Sequence, residues 1–286
     1  MNPKKFPKES LSFNDEKTGN DIIQLTSHKS VHHHPFFHVN SYNLNQDKLY
    51  FISHRSGAPQ IMFADMETEN LFQITQFMDL NEWSINPSSD GKYVYFTAGF
   101  NGWRVEVDSG KEDKIIEFQA DEMKEKGMVA AAMGTTCLSN SGKWWGVTYK
   151  VADKSRFVII DTETGNSKII LEGNSISHMQ FCPDDEDQIF YAGPLTDRVW
   201  TIRRDGSENQ RVYEKKPLEW ITHESWLPKT KEIAFVDWPN GMRAIHIDTK
   251  KERRLTRFNA WHAISNHTGN RVIADTNFPD IGLQIF

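Results

Sequence analysis

Cysteine is nearly absent. The 286 residues contain only Cys137 and Cys182, too few for a disulfide framework, so a reducing compartment is the simpler reading. Charge of either sign is modest. With 33 Lys and Arg against 39 Asp and Glu, and a formal net charge of −6, the chain has no basic footprint, which argues against nucleic acid as a partner. An anionic ligand would have to be held by local Arg, His or metal charge. No apolar run approaches the length of a membrane span, and Met1-Asn2-Pro3-Lys4-Lys5-Phe6-Pro7 lacks the apolar centre of a signal peptide. The expectation is a soluble, cytoplasmic protein with neither nucleic acid nor membrane as partner.

What the chain does have is short apolar runs. Hydrophobic residues make up 38% and aromatic residues 12%, with nine Trp, enough to bury a sizeable core and to exclude disorder. Lys48-Leu49-Tyr50-Phe51-Ile52-Ser53 reads as a strand, and a turn at Arg55 to Pro59 follows. Gln60 to Asp65 is the next strand, and Leu71 to Thr75 closes the unit. The central marker of this unit recurs at Tyr93-Val94-Tyr95-Phe96, Trp144-Trp145-Gly146-Val147, Gln188-Ile189-Phe190-Tyr191, Ile233-Ala234-Phe235-Val236 and Arg271-Val272-Ile273-Ala274, each after a polar turn. Connectors such as Asp161-Thr162-Glu163-Thr164-Gly165 join third and fourth strands as hairpins. A period of roughly 40–50 residues with four short strands per unit is the signature of an all-β, four-stranded β-propeller.

Counting units predicts five complete blades and a sixth that stops at Gly282-Leu283-Gln284-Ile285-Phe286, about five and a half in all. Residues 1–20 read as an N-terminal tail, and residues 21–286 as a propeller domain incomplete at its C-terminus. The strand at Ile22-Ile23-Gln24-Leu25 reads as the fourth strand of a blade of its own, so the chain is expected to be truncated. The polar insertion Asp121 to Lys126 fits a helical turn.

Histidines carry the strongest chemical signal. His178, His223 and His262 open first strands of consecutive repeats, in Ser177-His178-Met179-Gln180, Thr222-His223-Glu224-Ser225 and Trp261-His262-Ala263-Ile264. First strands line the centre of a propeller, where packing alone would take apolar residues. Convergent neutral imidazoles suit a transition metal, and an unliganded one serves as a general base near neutral pH. The plainer alternative for each is a buried imidazole satisfied by a backbone carbonyl. His32, His33 and His34 precede the first strand of the first blade, as a metal-binding tract or as a solvated turn. His33, His34 and His262 are the candidates for substrate contact. Other motifs carry less: Leu227 stands where a metalloprotease helix needs its second histidine, and no Gly-x-Ser-x-Gly elbow is present. Arg156 and Arg198 are either anion ligands or solvated strand ends, and Cys137 and Cys182 read as small core residues.

These residues resemble the oligogalacturonate lyase family, polysaccharide lyase family 22. The resemblance runs from about Ile23 onward and rests on His178 before Phe181-Cys182-Pro183-Asp184-Asp185, on Thr222-His223-Glu224-Ser225-Trp226-Leu227-Pro228, and on Trp261 to Asn266. It implies a seven-bladed propeller that cleaves short galacturonides by β-elimination with a divalent metal, typically Mn2+. By this resemblance His223 falls on a metal ligand, His178 on the Brønsted base and Arg156 on the arginine that meets the substrate carboxylate. The family's other metal ligands, in a Gln-x-x-His-x-His run, have no counterpart here, so impaired activity is expected of this chain alone. Two alternatives stay open: a non-catalytic propeller binding a protein or sugar, and a related uronate-acting enzyme with another preference.

Overall fold

The structure, a computed structural model, describes residues 2–118, 128–129, 135–151 and 154–286. Among these residues there are strands and turns but no helix, and the turn expected at Asp121–Lys126 lies outside them. The chain divides into two compact units, Met1–Ala120 and Asp121–Phe286.

In the first unit, strands β1 (Lys4–Phe6), β2 (Leu11–Asn14), β3 (Asp21–Gln24), β4 (His32–His33), β5 (Lys48–Ser53), β6 (Gln60–Asp65) and β7 (Leu71–Gln73) come first. One blade has the order β1-β7-β6-β5-β4, while β2 and β3 pair only with each other. Strands β8 (Asn86–Pro87), β9 (Tyr93–Ala98), β10 (Asn101–Glu106) and β11 (Glu112–Glu117) form the next meander. Tyr50, Ile52, Ile61 and Phe63 from one sheet and Val94, Phe96 and Val105 from the other make a shared core.

Two features of this unit differ from the sequence reading. The segment read as a tail contributes a strand, because β1 pairs Lys4 to Phe6 with Gln73 to Leu71. It is held by an ion pair: Glu9 accepts two hydrogen bonds from the Arg55 guanidinium, 2.8 and 3.1 Å. That guanidinium also lies 4.6 Å from the Phe6 ring centroid. The strand at Ile22 to Leu25, expected to belong to a blade, is instead one arm of the β2–β3 hairpin. Its turn is closed by Asp15, whose carboxylate accepts from the Thr18 amide at 3.1 Å, and by Gly19 at φ 73°, a left-handed value that glycine adopts without a Cβ clash.

The second unit begins with β12 (Met128–Val129), β13 (Thr136–Leu138), β14 (Trp144–Val151), β15 (Lys154–Asp161) and β16 (Ser167–Gly173), in which β12 and β13 both pair with β14. Next come β17 (Ser177–Cys182), β18 (Asp185–Ala192), β19 (Trp200–Arg203) and β20 (Gln210–Arg211). Strands β21 (Trp220–Leu227), β22 (Glu232–Trp238), β23 (Gly241–His246) and β24 (Glu252–Thr256) follow, and β25 (Ala260–Ser265), β26 (Val272–Thr276) and β27 (Gln284–Ile285) end the chain. Each set is an antiparallel meander in chain order, the last with three strands. The blades therefore number six among the described residues, two in the first unit and four in the second.

Strand alternation explains why each central strand is apolar throughout. Successive side chains point to opposite faces. In β18, Ile189 and Tyr191 enter the core shared with Phe157 and Ile159, while Phe190 and Ala192 enter the core shared with Ile233 and Phe235. In β22, Phe235 serves that second core, whereas Ala234 and Val236 pack with Ala260, Ala263 and Ala274. A sheet covered on both faces needs apolar residues at every position, as a propeller blade does.

Phe235 is fully buried in one of these cores. Phe235→Ala is expected to destabilise the chain by about 3–5 kcal/mol. The measurement is the shift in urea midpoint at unchanged slope.

Candidate active site

The first strands β13, β17, β21 and β25 of the second unit lie side by side in that order. Three of them are interrupted near their starts. Pairing with the next strand skips from Ser177 to Gln180, from Thr222 to Ser225 and from Ala260 to Ala263. Each skip is a bulge that frees two residues from the ladder and re-aims their side chains. His178 and His223 occupy equivalent first positions of these bulges, with φ of 51° and 49°. A left-handed backbone at a non-glycine residue is unusual and clusters at functional sites. His262 is not in register with them: Trp261 takes the equivalent position, and His262 is the second bulged residue. The sequence reading placed all three in one register, because the extra residue of a bulge leaves no mark in the alternation.

Behind His178 is a buried ionic network that connects β17 and β21 with the start of β19. Glu224 has 0% side-chain exposure and accepts two hydrogen bonds from Arg198, one to each carboxylate oxygen, both at 2.8 Å. His178 Nδ1 lies 3.3 Å from Glu224 Oε2 and 3.2 Å from Arg198 Nη2. Burial alone would raise the Glu224 carboxyl. The Arg198 charge and the hydrogen bonds from His178 and Arg198 outweigh it and hold the carboxyl well below the usual range. Gln180 completes the link across the strands by donating to the Glu224 carbonyl at 2.7 Å.

His223 stands next to His178, with ring centroids 5.9 Å apart and planes 24° from parallel. Its Nδ1 is hydrogen-bonded to the Trp261 carbonyl at 2.5 Å. A carbonyl only accepts, so the proton is on Nδ1 and Nε2 keeps its lone pair, the arrangement in which imidazole ligates a metal. Burial, reinforced by His262 and His178, pushes its pKa down from 6.5 to about 3. The ring is therefore neutral at physiological pH, with a lone pair of the kind that ligates a divalent metal.

The remaining residues named from the sequence fall in three places. His262 is 4.2 Å from His223 between ring centroids, and its Nδ1 is 2.8 Å from Asp275 Oδ2. Arg156 is on β15, opposite Tyr149, with Nε donating to Glu172 Oε2 at 2.8 Å. In the chain's pairing this is the same end of a blade as the start of β17. His33 and His34 belong to the first unit: His33 faces Glu82 at 3.2 Å, and His34 Nδ1 meets the Pro35 carbonyl. Cys137 and Cys182 are buried free thiols, as expected. Sequence reasoning missed Asp275 entirely, and it left Arg198 as an undecided anion ligand or solvated end. The only local signal was the carboxylate of Glu224 next to His223.

The fold and this row of imidazoles define the class: a β-propeller with a histidine-based centre on its inner strands. The sequence profile of the family described as oligogalacturonate lyase matches residues 1–284, and the chain belongs to that family. It is 26% identical to the oligogalacturonate lyase of Dickeya dadantii (strain 3937), with 95% of this chain and 77% of that protein covered. It is 25% identical to the oligogalacturonide lyase of Pectobacterium atrosepticum, covering 98% and 78%. Among solved structures, an oligogalacturonate lyase in complex with manganese superposes with a TM-score of 0.89 at 20% identity, over 100% of this chain and 83% of that one. The Vibrio parahaemolyticus oligogalacturonate lyase follows at 0.84 and 18%, over 96% and 79%. These superpositions establish the fold.

Two outcomes are expected. Glu224→Gln leaves the Arg198 cation buried without its partner and is expected to cost about 3–5 kcal/mol. The double variant Arg198→Met, Glu224→Gln should recover part of that loss in the same urea titration. Acid should also destabilise the metal-free chain. Between pH 6.5 and about 3 the unfolded His223 binds a proton that the folded one refuses. Stability therefore falls as pH falls through that window, by about 5 kcal/mol at most from this group. Glu224 acts in the same direction below pH 4.5, where the unfolded carboxylate protonates first. Thermal melts from pH 7 to 4 should show a shallower decline in His223→Asn.

Proposed function

We propose that this site carries out β-elimination on short galacturonides, as in pectin breakdown, with His178 as the base and a divalent metal, Mn2+, held at His223. The observation that carries the reading is the pairing of two neighbouring imidazoles in opposite roles. His178 has Nδ1 against an ionised carboxylate, and His223 has Nδ1 satisfied by a carbonyl.

The chemistry needs a proton taken from C5 of a uronate, α to its carboxylate. With Nδ1–H directed at Glu224, His178 presents Nε2 to that proton, and Glu224 stabilises the imidazolium that forms. The C5–H electron pair becomes the C4=C5 double bond, and the C4–oxygen bond breaks with its pair on the glycosidic oxygen, which takes up a proton from water. A metal at His223, when bound, neutralises charge developing on the uronate carboxylate. Arg156 contributes there by exchanging Glu172 for the substrate carboxylate, and His262, fixed by Asp275, contacts the sugar. We also propose that this 286-residue chain turns over slowly on its own. Among the described residues, no group of three His, Cys, Asp or Glu ligand atoms closes around His223.

The test is the ultraviolet absorbance of unsaturated product from digalacturonate with and without Mn2+. His178→Ala should lower kcat by a further 10²–10⁴-fold, with a smaller effect on KM. A rate indifferent to His178→Ala would overturn the assignment. Calorimetric binding of galacturonides with no turnover under any metal would instead favour a binding module.

A further inference from the structure

The lyase reading makes no use of a cluster in the first unit. His33 is the last residue of β4, His54 follows the end of β5, and Glu82 lies in the connection leading to β8. The β4–β5 ladder pairs His32 with Ser53 and His33 with Ile52, which brings the two imidazoles to one end of the sheet. There they meet one carboxylate oxygen. Glu82 Oε2 is 3.2 Å from His33 Nε2 and 2.7 Å from His54 Nε2. Ligand atoms from all three residues lie within 4.8 Å of one another. The side chains are 19%, 33% and 29% exposed respectively, so the cluster is recessed and still reached by solvent.

Hydrogen bonding decides which atoms are available. His33 Nδ1 is 2.9 Å from the His34 carbonyl, which accepts only. The proton of a neutral ring is therefore on Nδ1, and the Nε2 lone pair is aimed at a carboxylate oxygen. Two lone pairs at 3.2 Å repel unless a positive charge is held between them. Protons satisfy the cluster only if the His33 ring is charged, with His54 donating to the same carboxylate through Nε2–H and ring centroids 6.1 Å apart. A single divalent ion satisfies all three bases together. The Nδ1–H to carbonyl bond is the usual support behind a metal-ligating histidine. Trp83, the neighbour of Glu82, packs on the His33 ring at 4.7 Å and 30°, fixing its orientation and screening one side.

We infer that His33, His54 and Glu82 form a second divalent-metal site, independent of the centre at His223. Two imidazoles and one carboxylate select a first-row ion of borderline softness, Zn2+ by preference, and leave a fourth position for water. Tetrahedral zinc with bonds of about 2.1 Å sets its ligand atoms about 3.4 Å apart. The two nitrogen-to-carboxylate separations, 3.2 and 2.7 Å, lie below that value, and all three ligand atoms are within 4.8 Å of one another, so small side-chain rotations close the site. His33, a candidate for substrate contact on sequence grounds, is thereby assigned to the metal.

The experiment uses the full chain after chelator treatment and dialysis, titrated with Zn2+ alone by calorimetry and with Co2+ by visible absorption. The unaltered chain and His223→Ala should both retain this binding event. His54→Ala should lose it, and Glu82→Gln, which keeps the shape and removes the charge, should weaken it at least tenfold. Circular dichroism melts establish that each variant is folded, and Glu82→Gln decides the matter if His54→Ala is not. Equal stoichiometry and affinity in the unaltered chain and Glu82→Gln would overturn the inference. So would a Glu82→Gln variant that loses thermal stability without losing zinc affinity, because the cluster would then be a protonated ion pair. Lyase assays do not enter this test, so failure of the reaction proposed for His178 leaves its outcome unaffected.

Discussion

The pair between Arg198 and Glu224 is the interaction on which the candidate centre depends. An ionised carboxylate without solvent contact is tolerable only because a guanidinium meets both of its oxygens. The two partners come from consecutive blades, so the pair also fixes the first strand of one blade against the third-strand entry of the other. His178 takes its orientation from this pair. The Gln180 amide, bonded to the Glu224 carbonyl, and the Trp226 indole, donating to the Gln180 carbonyl at 3.1 Å, continue the same seam along β17 and β21. The His178 ring is therefore attached to a buried polar seam within otherwise apolar packing, where its position is set by hydrogen bonds with direction.

Much of the scaffold was legible because its cause is local. Lys48–Ser53 and Gln60–Asp65 begin and end where the apolar runs do, since turn residues bound them and burial on both faces demands continuous hydrophobicity. His178 and His223 were visible for the complementary reason: a polar ring replaces an apolar residue at the entry to an inner strand. Their chemical distinction was not visible. It depends on Glu224, Arg198 and the Trp261 carbonyl, and the latter two are 20 and 38 residues away from the imidazole they serve.

The errors have equally specific causes. His262 was read one position out of register because a bulge inserts a residue without altering the composition around it. The N-terminal segment looked like a tail because its anchor, the Glu9–Arg55 pair, spans 46 residues. Glu82 and His54 gave no signal at all, being a loop carboxylate and a strand-end imidazole that only the fold brings to His33. Long-range side-chain contacts thus account for the last two of these, and a local bulge for the first.

The left-handed backbone at His178 and His223 limits what the site can become. At φ near +50° a Cβ crowds the following carbonyl by about 1–2 kcal/mol, and branching at Cβ makes the crowding worse. Asn and Asp tolerate the conformation best after glycine. The main chain thus screens replacements before any chemistry is tested. Drift at these two positions is channelled toward short amide and carboxylate side chains, themselves oxygen ligands for hard cations. The same bulges that present imidazoles today leave open a path to an oxygen-rich centre, and close the path to an apolar one.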